Sequence, residues 1–335
     1  MPHFLFTLFL GGLLLSRSVF CAEPLLIGLS PWGIRFADGT AQTTAALPSL
    51  PANMAWVAEV GGNYTSPLDA MNHLRDWCHA DSILVPAISR CTLLIAPGVY
   101  KLGSDQLVMQ TGVDIVGMGV GTTVISGAVG NAALNGESAL IRGAQRTTLR
   151  DLTVVNESTR IASIGIHNVE TSFVIERVEV IVSGEALYSI GIVNEGDASR
   201  YTDIAVSATS LAGVTDCVGI RNAVMGSIEI NRASIVVSGC ADNTAIENSY
   251  AVNLRLVDVN ASATATGAQQ ASGVWSTGSG LTILDSKLEG TTHSLGIGST
   301  SARIINTQLN GPVGADSGGT QCLGTYDRNL VDVGC

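Results

Sequence analysis

The sequence has few basic residues for its length. It contains 17 Lys and Arg residues and 28 Asp and Glu residues, which gives a formal net charge of −11. Nucleic-acid-binding domains carry basic patches or stripes, so this balance argues against a nucleic-acid partner. Beyond the N-terminus, no apolar run reaches the roughly 20 residues of a membrane-spanning helix, and we predict no transmembrane segment.

Motifs for metals and nucleotides are also missing. No CxxC pair occurs, and the GTTVISG stretch at 121–127 lacks the Gly-Lys-Ser/Thr ending of a phosphate loop. We therefore predict neither a metal site nor a cofactor. The chain also lacks the 10–15-residue helical patterns that separate strands in an α/β protein.

What the chain does contain is a short phrase that recurs six times between Ser163 and Ser299. The copies are SIGIHN, SIGIVN, CVGIRN, NTAIEN, SGVWST and SLGIGS. Their spacing can be read from the small residue within each copy: Gly165, Gly191, Gly219, Ala245, Gly273 and Gly296. A period of this size, roughly 26 residues, is typical of a solenoid, whose units must stack to bury their apolar faces.

Each phrase is followed by a run that alternates apolar and polar residues and is rich in Val and Ile. These runs lie at 173–182, 200–208, 227–237, 251–261, 281–290 and 302–311, with 146–156 as an earlier copy. Such alternation is typical of half-buried strands. We therefore predict an all-β fold, a right-handed parallel β-helix (a solenoid) with about 26 residues per coil.

Two columns of this β-helix are predicted to be structural. One aliphatic residue per phrase should form an inward ladder, because an exposed column would be an aggregation edge: Ile166, Ile192, Ile220, Ile246, Val274 and Ile297. Two residues later, Asn tolerates the left-handed backbone of a sharp corner, and stacked Asn side chains can bond along the column. We expect a structural ladder here, with a ligand-binding row as the alternative: Asn168, Asn194, Asn222 and Asn248, then Ser276 and Ser299.

The N-terminus and the cysteines favour export. Residues 1–22 have an apolar core followed by SRSVFCA, which predicts a signal peptide, with lipidation of Cys21 as the alternative. Six further cysteines, an even number, favour disulfides. The pairs 78–91, 217–240 and 322–335 have the shortest separations. We expect a protein that is secreted, or located in the periplasm or cell envelope.

The predicted organisation places an extended segment at 23–55, a cap with the first strands at 56–110, the β-helix at 111–311 and a disulfide-closed tail at 312–335. Ser66 before Pro67 is a favourable helix start. An apolar stripe follows it, formed by Leu68, Met71, Leu74 and Cys78. We expect one amphipathic helix that caps the first coil.

Three stretches of this region resemble the N-terminal part of pectinesterases: GGNYTSPLDAMNHL at 61–74, LLIAPGVYKL at 93–102 and VDIVGMGVGTTVISG at 113–127. The resemblance runs from 61 to 127 and extends to uncharacterised exported bacterial β-helix proteins. It identifies the chain as a member of the pectin lyase-like superfamily. The QDTL-, DFIFG- and LGRPW-like segments that hold the catalytic residues of pectinesterases are absent, as is the WIDH-like segment of pectate lyases. No catalytic residue can therefore be carried over.

A second, shorter resemblance lies nearer the N-terminus. GIRFADGTAQTTAA at 33–46 is similar to a motif of phage tail-fibre proteins and bacterial exported proteins. It implies an attachment or oligomerisation segment.

Two outward columns are candidate sites. The first, from the alternating runs, combines carboxylates that could act as acid and base with guanidinium groups that could stabilise an oxyanion: Asp151, Arg177, Asp203, Arg232, Leu256 and Asp285. We expect instead a ladder of solvated charges. The second column lies just after the aliphatic ladder: His167, Val193, Arg221, Glu247, Trp275 and Gly298.

Trp275 is the notable member of the second column. An outward indole is a natural platform for a sugar ring, and Arg221 and Glu247 could hydrogen-bond hydroxyl groups beside it. The alternative is that the loop at 263–270 covers the indole. His293 is placed in a turn, far from any acidic cluster in the sequence.

These observations predict a non-catalytic exported protein that presents a β face to a glycan or another extracellular partner, with no catalytic, cofactor-binding or metal-binding residue. One alternative is a polysaccharide-active enzyme with a non-standard site, which predicts clustered carboxylates with shifted pKa values. The other is a structural, fibre-like surface protein whose oligomer forms through residues 33–46.

Overall fold

A computed structural model describes the backbone at 28–30, 33–35 and 41–42, and side chains as well across most of 53–331. The ranges described there are 53–79, 90–210, 216–223, 225–250, 253–265, 270–298, 301–315, 320–329 and 331. The predicted signal peptide and the lipidation alternative at Cys21 lie outside the described residues.

Residues 1–48 and 49–335 form two separate units. The described part of the first unit is a three-stranded antiparallel sheet of Gly28–Ser30, Gly33–Arg35 and Ala41–Gln42. The segment 33–46 is described at five positions only, so its role in attachment or oligomerisation stays a prediction.

The second unit is a parallel β-helix, which confirms the predicted fold class. Its shorter strands form a nine-stranded parallel sheet, here called sheet 1. Successive coils pair Ser163 with Ser189 and Cys217 with Asn243, so each copy of the phrase lies beside the next. The strands of sheet 1 are Leu107–Val108, Ala139–Arg142, Ala162–Asn168, Tyr188–Asn194, Asp216–Asn222, Asp242–Asn248, Gln270–Ser276, His293–Ile297 and Val313–Ala315.

The remaining strands of the β-helix form one fifteen-stranded sheet, with a bend that crosses each of its long strands. We call the part before the bend sheet 2 and the part after the bend sheet 3. Five long strands contribute to both halves: Thr148–Ser158, Val174–Gly184, Ser199–Thr209, Ser227–Ser238 and Asn253–Ala263. Sheet 2 also contains Met54–Val57, Cys91–Ile95, Val113–Val116, Gly280–Leu284, Ser301–Ile305 and Gln321–Leu323. Sheet 3 also contains Gly98–Lys101, Thr123–Gly127, Lys287–Gly290 and Gln308–Asn310.

The bend follows a column of residues with left-handed backbone. Their φ angles lie between 48° and 58°, a region that L-residues other than Asn and Asp rarely enter. One such residue stands at the bend in each of seven successive coils: Asp151, Arg177, Asp203, Arg232, Asp258, Asp285 and Asn306. The assignment of Leu256 to this charge column was therefore wrong. Leu256 is fully buried opposite Ile230, and Asp258 pairs by register with Arg232.

The aliphatic ladder of sheet 1 faces inward as predicted, with one correction at its C-terminal end. Ile166, Ile192, Ile220, Ile246 and Val274 are fully buried and pair from coil to coil. Val274 then pairs with Leu295, and not with Ile297, which pairs with Ser276. This coil is shorter than the others. A slip by two residues keeps every side chain on its original face, so alternation in the sequence could not reveal it.

The asparagine ladder is a structural element of the interior. Each Nδ2 donates to the side-chain oxygen of the next coil, at 2.8 Å from Asn168 to Asn194, 2.8 Å to Asn222, 2.9 Å to Asn248 and 2.9 Å to Ser276. All four asparagines are fully buried. None of these four has the left-handed backbone that we expected for them; that conformation occurs in the charge column and at Arg146, Ser172 and Ala198. Ser299 lies outside the described residues.

The capping helix begins where predicted but is broken in two. Ser66 Oγ accepts from the Leu68 amide at 3.2 Å, and helices span Pro67–Asn72 and Leu74–Trp77, interrupted at His73. The predicted apolar stripe packs against the core at the start of the β-helix. Among the described residues, no helix has the length and apolarity needed to span a bilayer.

Two of the three predicted disulfides are present, Cys78–Cys91 and Cys217–Cys240. The third predicted pair includes Cys335, which lies outside the described residues, so it stays a prediction.

Candidate functional site

The outer surface of sheet 1 carries the column that contains Trp275. Register places one residue per coil: Arg142, His167, Val193, Arg221, Glu247, Trp275 and Gly296. The prediction of Gly298 in this column was wrong, because the slip by two residues puts Gly296 beside Trp275.

The column is covered at His167 and Val193, which are only 3% and 5% exposed. A Cβ on Gly136, in the short 3₁₀ turn Gly136–Ser138, would come within 2.8 Å of His167 Nδ1, so this turn packs directly on the imidazole. Burial lowers the pKa of His167, although Glu195 Oε2, 3.2 Å from Nε2, acts in the opposite direction. The imidazole is therefore neutral at neutral pH and is not available to a ligand.

The C-terminal half of the column is open, and Trp275 is its most exposed member at 40%. The inner face of the indole lies against the backbone of the next coil, where a Cβ on Gly296 would overlap Trp275 Cε3 and Cζ3. The His293 ring borders the indole, with the centroids 5.8 Å apart and the planes tilted by 57°. The indole is thus held by its neighbours while part of its surface remains free.

Beside Trp275 lies a neutralised ion pair. Arg221 Nε is 2.7 Å from Glu247 Oε2, and Glu247 Oε1 accepts from Ser249 Oγ at 3.0 Å. Both side chains of the pair are partly exposed. The pair therefore offers hydrogen-bonding groups next to the indole without a net charge of its own, which suits sugar hydroxyl groups.

The charge column at the bend between sheets 2 and 3 is organised in pairs. Arg177 binds Asp151 through two hydrogen bonds of 2.5 and 2.9 Å. Arg232 binds Asp203 in the same way, at 2.6 and 2.8 Å. The hydrogen bonds from Arg232 lower the pKa of Asp203 below its ordinary value. These are bidentate pairs on an exposed edge, the geometry of a ladder of charges.

The C-terminal end of the same column differs. Asp258 and Asp285 follow one another without an arginine between them, and Asn306 Nδ2 donates to Asp285 Oδ1 at 3.2 Å. Both carboxylates border an open depression of about 470 Å³, together with Lys287, Gln308 and Tyr326. Within the described part of the chain, no group of three or more His, Cys, Asp or Glu is placed to hold a metal ion.

The charge column provides a test of pH dependence. We expect Asp203→Asn to lower stability slightly at pH 7, because exposed ion pairs contribute little. Since the folded pKa of Asp203 is depressed, the pair contributes stability above the unfolded pKa and loses it as the pH falls through the folded pKa. The difference in urea midpoint between the variant and the parent should therefore shrink from pH 7 to about pH 2, below the ordinary aspartate range. A difference that grows on acidification would contradict this assignment.

One residue of the Trp275 surface was missed in the sequence. His293 begins a strand of sheet 1 and contacts the indole, although it was placed in a turn. The shortened coil that moves Gly296 beneath Trp275 also brings His293 to the indole. The repeat length alone does not predict that shift.

No known family model and no curated protein matches the chain. Among solved structures, pectin methylesterase from carrot is similar over 86% of each chain, with a TM-score of 0.50 and 11% identity. The enzyme from Aspergillus niger covers 84% of this chain and 87% of its own, with a TM-score of 0.49 and 13% identity. The enzyme from Erwinia chrysanthemi covers 85% and 92%, with a TM-score of 0.48 and 11% identity. At this identity, the likeness to the carrot enzyme establishes the β-helix fold and no activity.

Proposed function

We propose that this protein is an exported β-helix protein that binds a polysaccharide through the outer surface of sheet 1, without catalysis. The observation that carries the proposal is the Trp275 indole, exposed on one side and fixed against Gly296 on the other. A ring that is already immobilised loses little entropy when a ligand packs on it. An indole also offers a large apolar surface to the C–H face of a sugar ring.

Three further observations support the proposal. The carrot protein that shares the fold is a pectin methylesterase, an enzyme named for a polysaccharide. Two disulfides favour an oxidising compartment and therefore export. Finally, Asp151 and Asp203 are engaged by Arg177 and Arg232, which leaves them poorly placed to act on a substrate.

Affinity electrophoresis of the full-length protein in gels containing pectin, alginate, dextran and xylan tests this function. We expect at least one polysaccharide to retard the protein, and Trp275→Ala to weaken that binding by about thirtyfold, the effect of losing roughly 2 kcal/mol at an aromatic hot spot. Trp275→Phe keeps a ring on Gly296 and should retain part of the affinity. Val60→Ala, which removes an exposed apolar side chain from the cap, is the matched control and should bind as the parent does.

The second candidate function is a polysaccharide-active enzyme, which the neighbouring carboxylates of Asp258 and Asp285 favour. The same panel is therefore assayed for methanol release and for unsaturated products. Turnover that is lost in Asp285→Asn and kept in Trp275→Ala would contradict the proposed non-catalytic function. It would assign catalysis to the depression beside Asp258 and Asp285. Unchanged mobility of the parent in every gel, with no turnover, would contradict both functions and leave the fibre-like alternative.

A further inference from the structure

Sheet 2 carries a column of basic residues on its outer surface toward the C-terminal end of the β-helix. Register stacks one residue per coil in the order Arg200, Glu229, Arg255, Thr282, Arg303 and Gln321. We call this the arginine column. It belongs to a different sheet from Trp275 and does not include the bend residues.

The charges of the arginine column do not balance. Glu229 is its only carboxylate and is shared: its Oε2 lies 3.5 Å from Arg200 Nε and its Oε1 lies 2.5 Å from Arg255 Nη1. Arg303 is exposed and has no hydrogen-bond or ion-pair partner among the described residues. Three guanidinium groups thus face one carboxylate, in a chain with a net charge of −11. A local excess of positive charge is unexpected in such a chain.

Arg255 and Arg303 line a surface groove of about 570 Å³. On one side it is bordered by Asn253, Gly280 and Ser301, where the missing side chain of Gly280 leaves room between two polar groups. On the other side, register places an aliphatic column, Val257, Leu284, Ile305 and Leu323. Leu323 is 68% exposed at its end.

We propose that this groove binds the anionic groups of an acidic polysaccharide, a carboxylate or a sulfate on a sugar polymer. Arginine presents a planar fork of donors that matches such oxyanions. Arg255 and Arg303 are two coils apart, roughly 10 Å at the spacing of strands. A polymer lying across the coils can therefore contact both arginines. Thr282, Asn253 and Ser301 form hydrogen bonds with its hydroxyl groups. The aliphatic column supplies an apolar strip against which the C–H faces of sugar rings pack.

The same column suits nucleic acid less well. Binding to nucleic acid depends on neutralising many phosphates at once, and the surrounding net charge of −11 opposes a long polyanion of that charge density. A polysaccharide with anionic groups separated by neutral hydroxyls matches a groove in which arginines alternate with hydroxyl and amide side chains. The proposal does not depend on the glycan site at Trp275.

The test is affinity electrophoresis of the full-length, disulfide-intact protein in gels containing alginate, dextran sulfate or neutral dextran. We expect retardation by at least one of the anionic polymers, weakening with added salt because the contacts are exposed charges. Arg303→Gln should weaken binding by about tenfold, the lower range for a hydrogen bond to a charged group. Arg303→Lys keeps the charge without the fork and should fall between the parent and Arg303→Gln. The comparison of alginate with dextran sulfate distinguishes carboxylate from sulfate.

Arg160→Gln is the matched control, because it removes one exposed positive charge several coils away, in the turn after Thr148–Ser158. It should bind anionic polymers as the parent does. If Arg303→Gln and Arg160→Gln weaken binding of the anionic polymers equally, the effect is due to the change in net charge. That result would overturn the proposal. So would retardation by the anionic polymers that is unchanged in Arg303→Gln, or tighter binding of single-stranded DNA than of either polymer. The loss of anionic-polymer binding caused by Arg303→Gln should be the same in the parent and in the Trp275→Ala background, which separates failure of this site from failure of the Trp275 site.

Discussion

We expect Asn194→Ala to cause the largest loss of stability of any single substitution in the asparagine ladder. Asn194 Oδ1 accepts from Asn168 Nδ2 at 2.8 Å, from Ser199 Oγ at 3.1 Å and from Tyr201 Oη at 3.1 Å. Its Nδ2 donates to Asn222 Oδ1 at 2.8 Å and to the Gly196 carbonyl at 2.9 Å. Truncation leaves several of these fully buried groups without a partner and opens a cavity. The free energy of unfolding should fall by about 4 kcal/mol.

Urea unfolding followed by circular dichroism measures the effect, with an unchanged m value required before midpoints are compared. Tyr201→Phe provides a graded step. Burial raises the pKa of the Tyr201 phenol, so it stays protonated, and removing its hydroxyl deletes only one donor to Asn194, at a cost of about 1 kcal/mol. Asn260→Ala, on the exposed side of sheet 3, should leave the midpoint unchanged. A midpoint for Asn194→Ala equal to that of Asn260→Ala would show that the ladder does not stabilise the fold.

The fold could be predicted because its two signals are local and repeated. The regular return of one phrase fixes the coil, and alternation along each strand fixes which face is buried. Neither signal is changed by a two-residue shift in the pairing of one strand, because such a shift keeps each side chain on the same face. This is why the sheets, the inward aliphatic column and the stacked asparagines were found without structural information.

The errors arose where the chain departs from regular alternation. At the bend, one residue per coil adopts left-handed backbone, which interrupts the alternation of the strand, and Leu256 was placed in the column that belongs to Asp258. The pattern of apolar and polar residues does not show where such a break lies. It also does not reveal the two-residue slip at Leu295. The left-handed position was assigned to asparagine on propensity, yet Arg177 and Arg232 adopt it, because stacking against the neighbouring coil outweighs the preference of a single residue.

The candidate sites were predictable only in part, for a related reason. Trp275 could be identified because an outward aromatic residue is informative by itself. Its support by Gly296 and His293 depends on the length of one coil, and the burial of His167 depends on the turn at Gly136–Ser138. The arginine column was not noticed. Its members lie a full coil apart in the sequence, and each one alone is an ordinary polar side chain.

Removal of the Cys217–Cys240 disulfide is the second change for which we expect a large effect. The bond links a strand of sheet 1 to the turn that leads into the next one, with a sequence separation of 23 and both side chains fully buried. Closing such a loop restricts the unfolded chain, a contribution of about 3 kcal/mol. Cys217→Ala/Cys240→Ala keeps the interior apolar, so its loss of stability should approach this value. Cys78→Ala/Cys91→Ala opens a shorter loop, with a separation of 13, and should cost less.

Reduction separates the cross-link from packing. Urea midpoints measured with and without dithiothreitol should differ for the parent protein, and the difference should be smaller in Cys217→Ala/Cys240→Ala, because only the remaining disulfides can still be reduced. An equal sensitivity to reductant in both would mean that this bond does not contribute, and that the variant loses stability through the cavity left by the sulfur atoms. The comparison matters for function, because Cys217 lies on the strand that carries Arg221 and Cys240 lies in the turn before the strand of Glu247, one coil before Trp275. If the cross-link keeps these coils in register, its loss should weaken polysaccharide binding at Trp275 more than binding at Arg303.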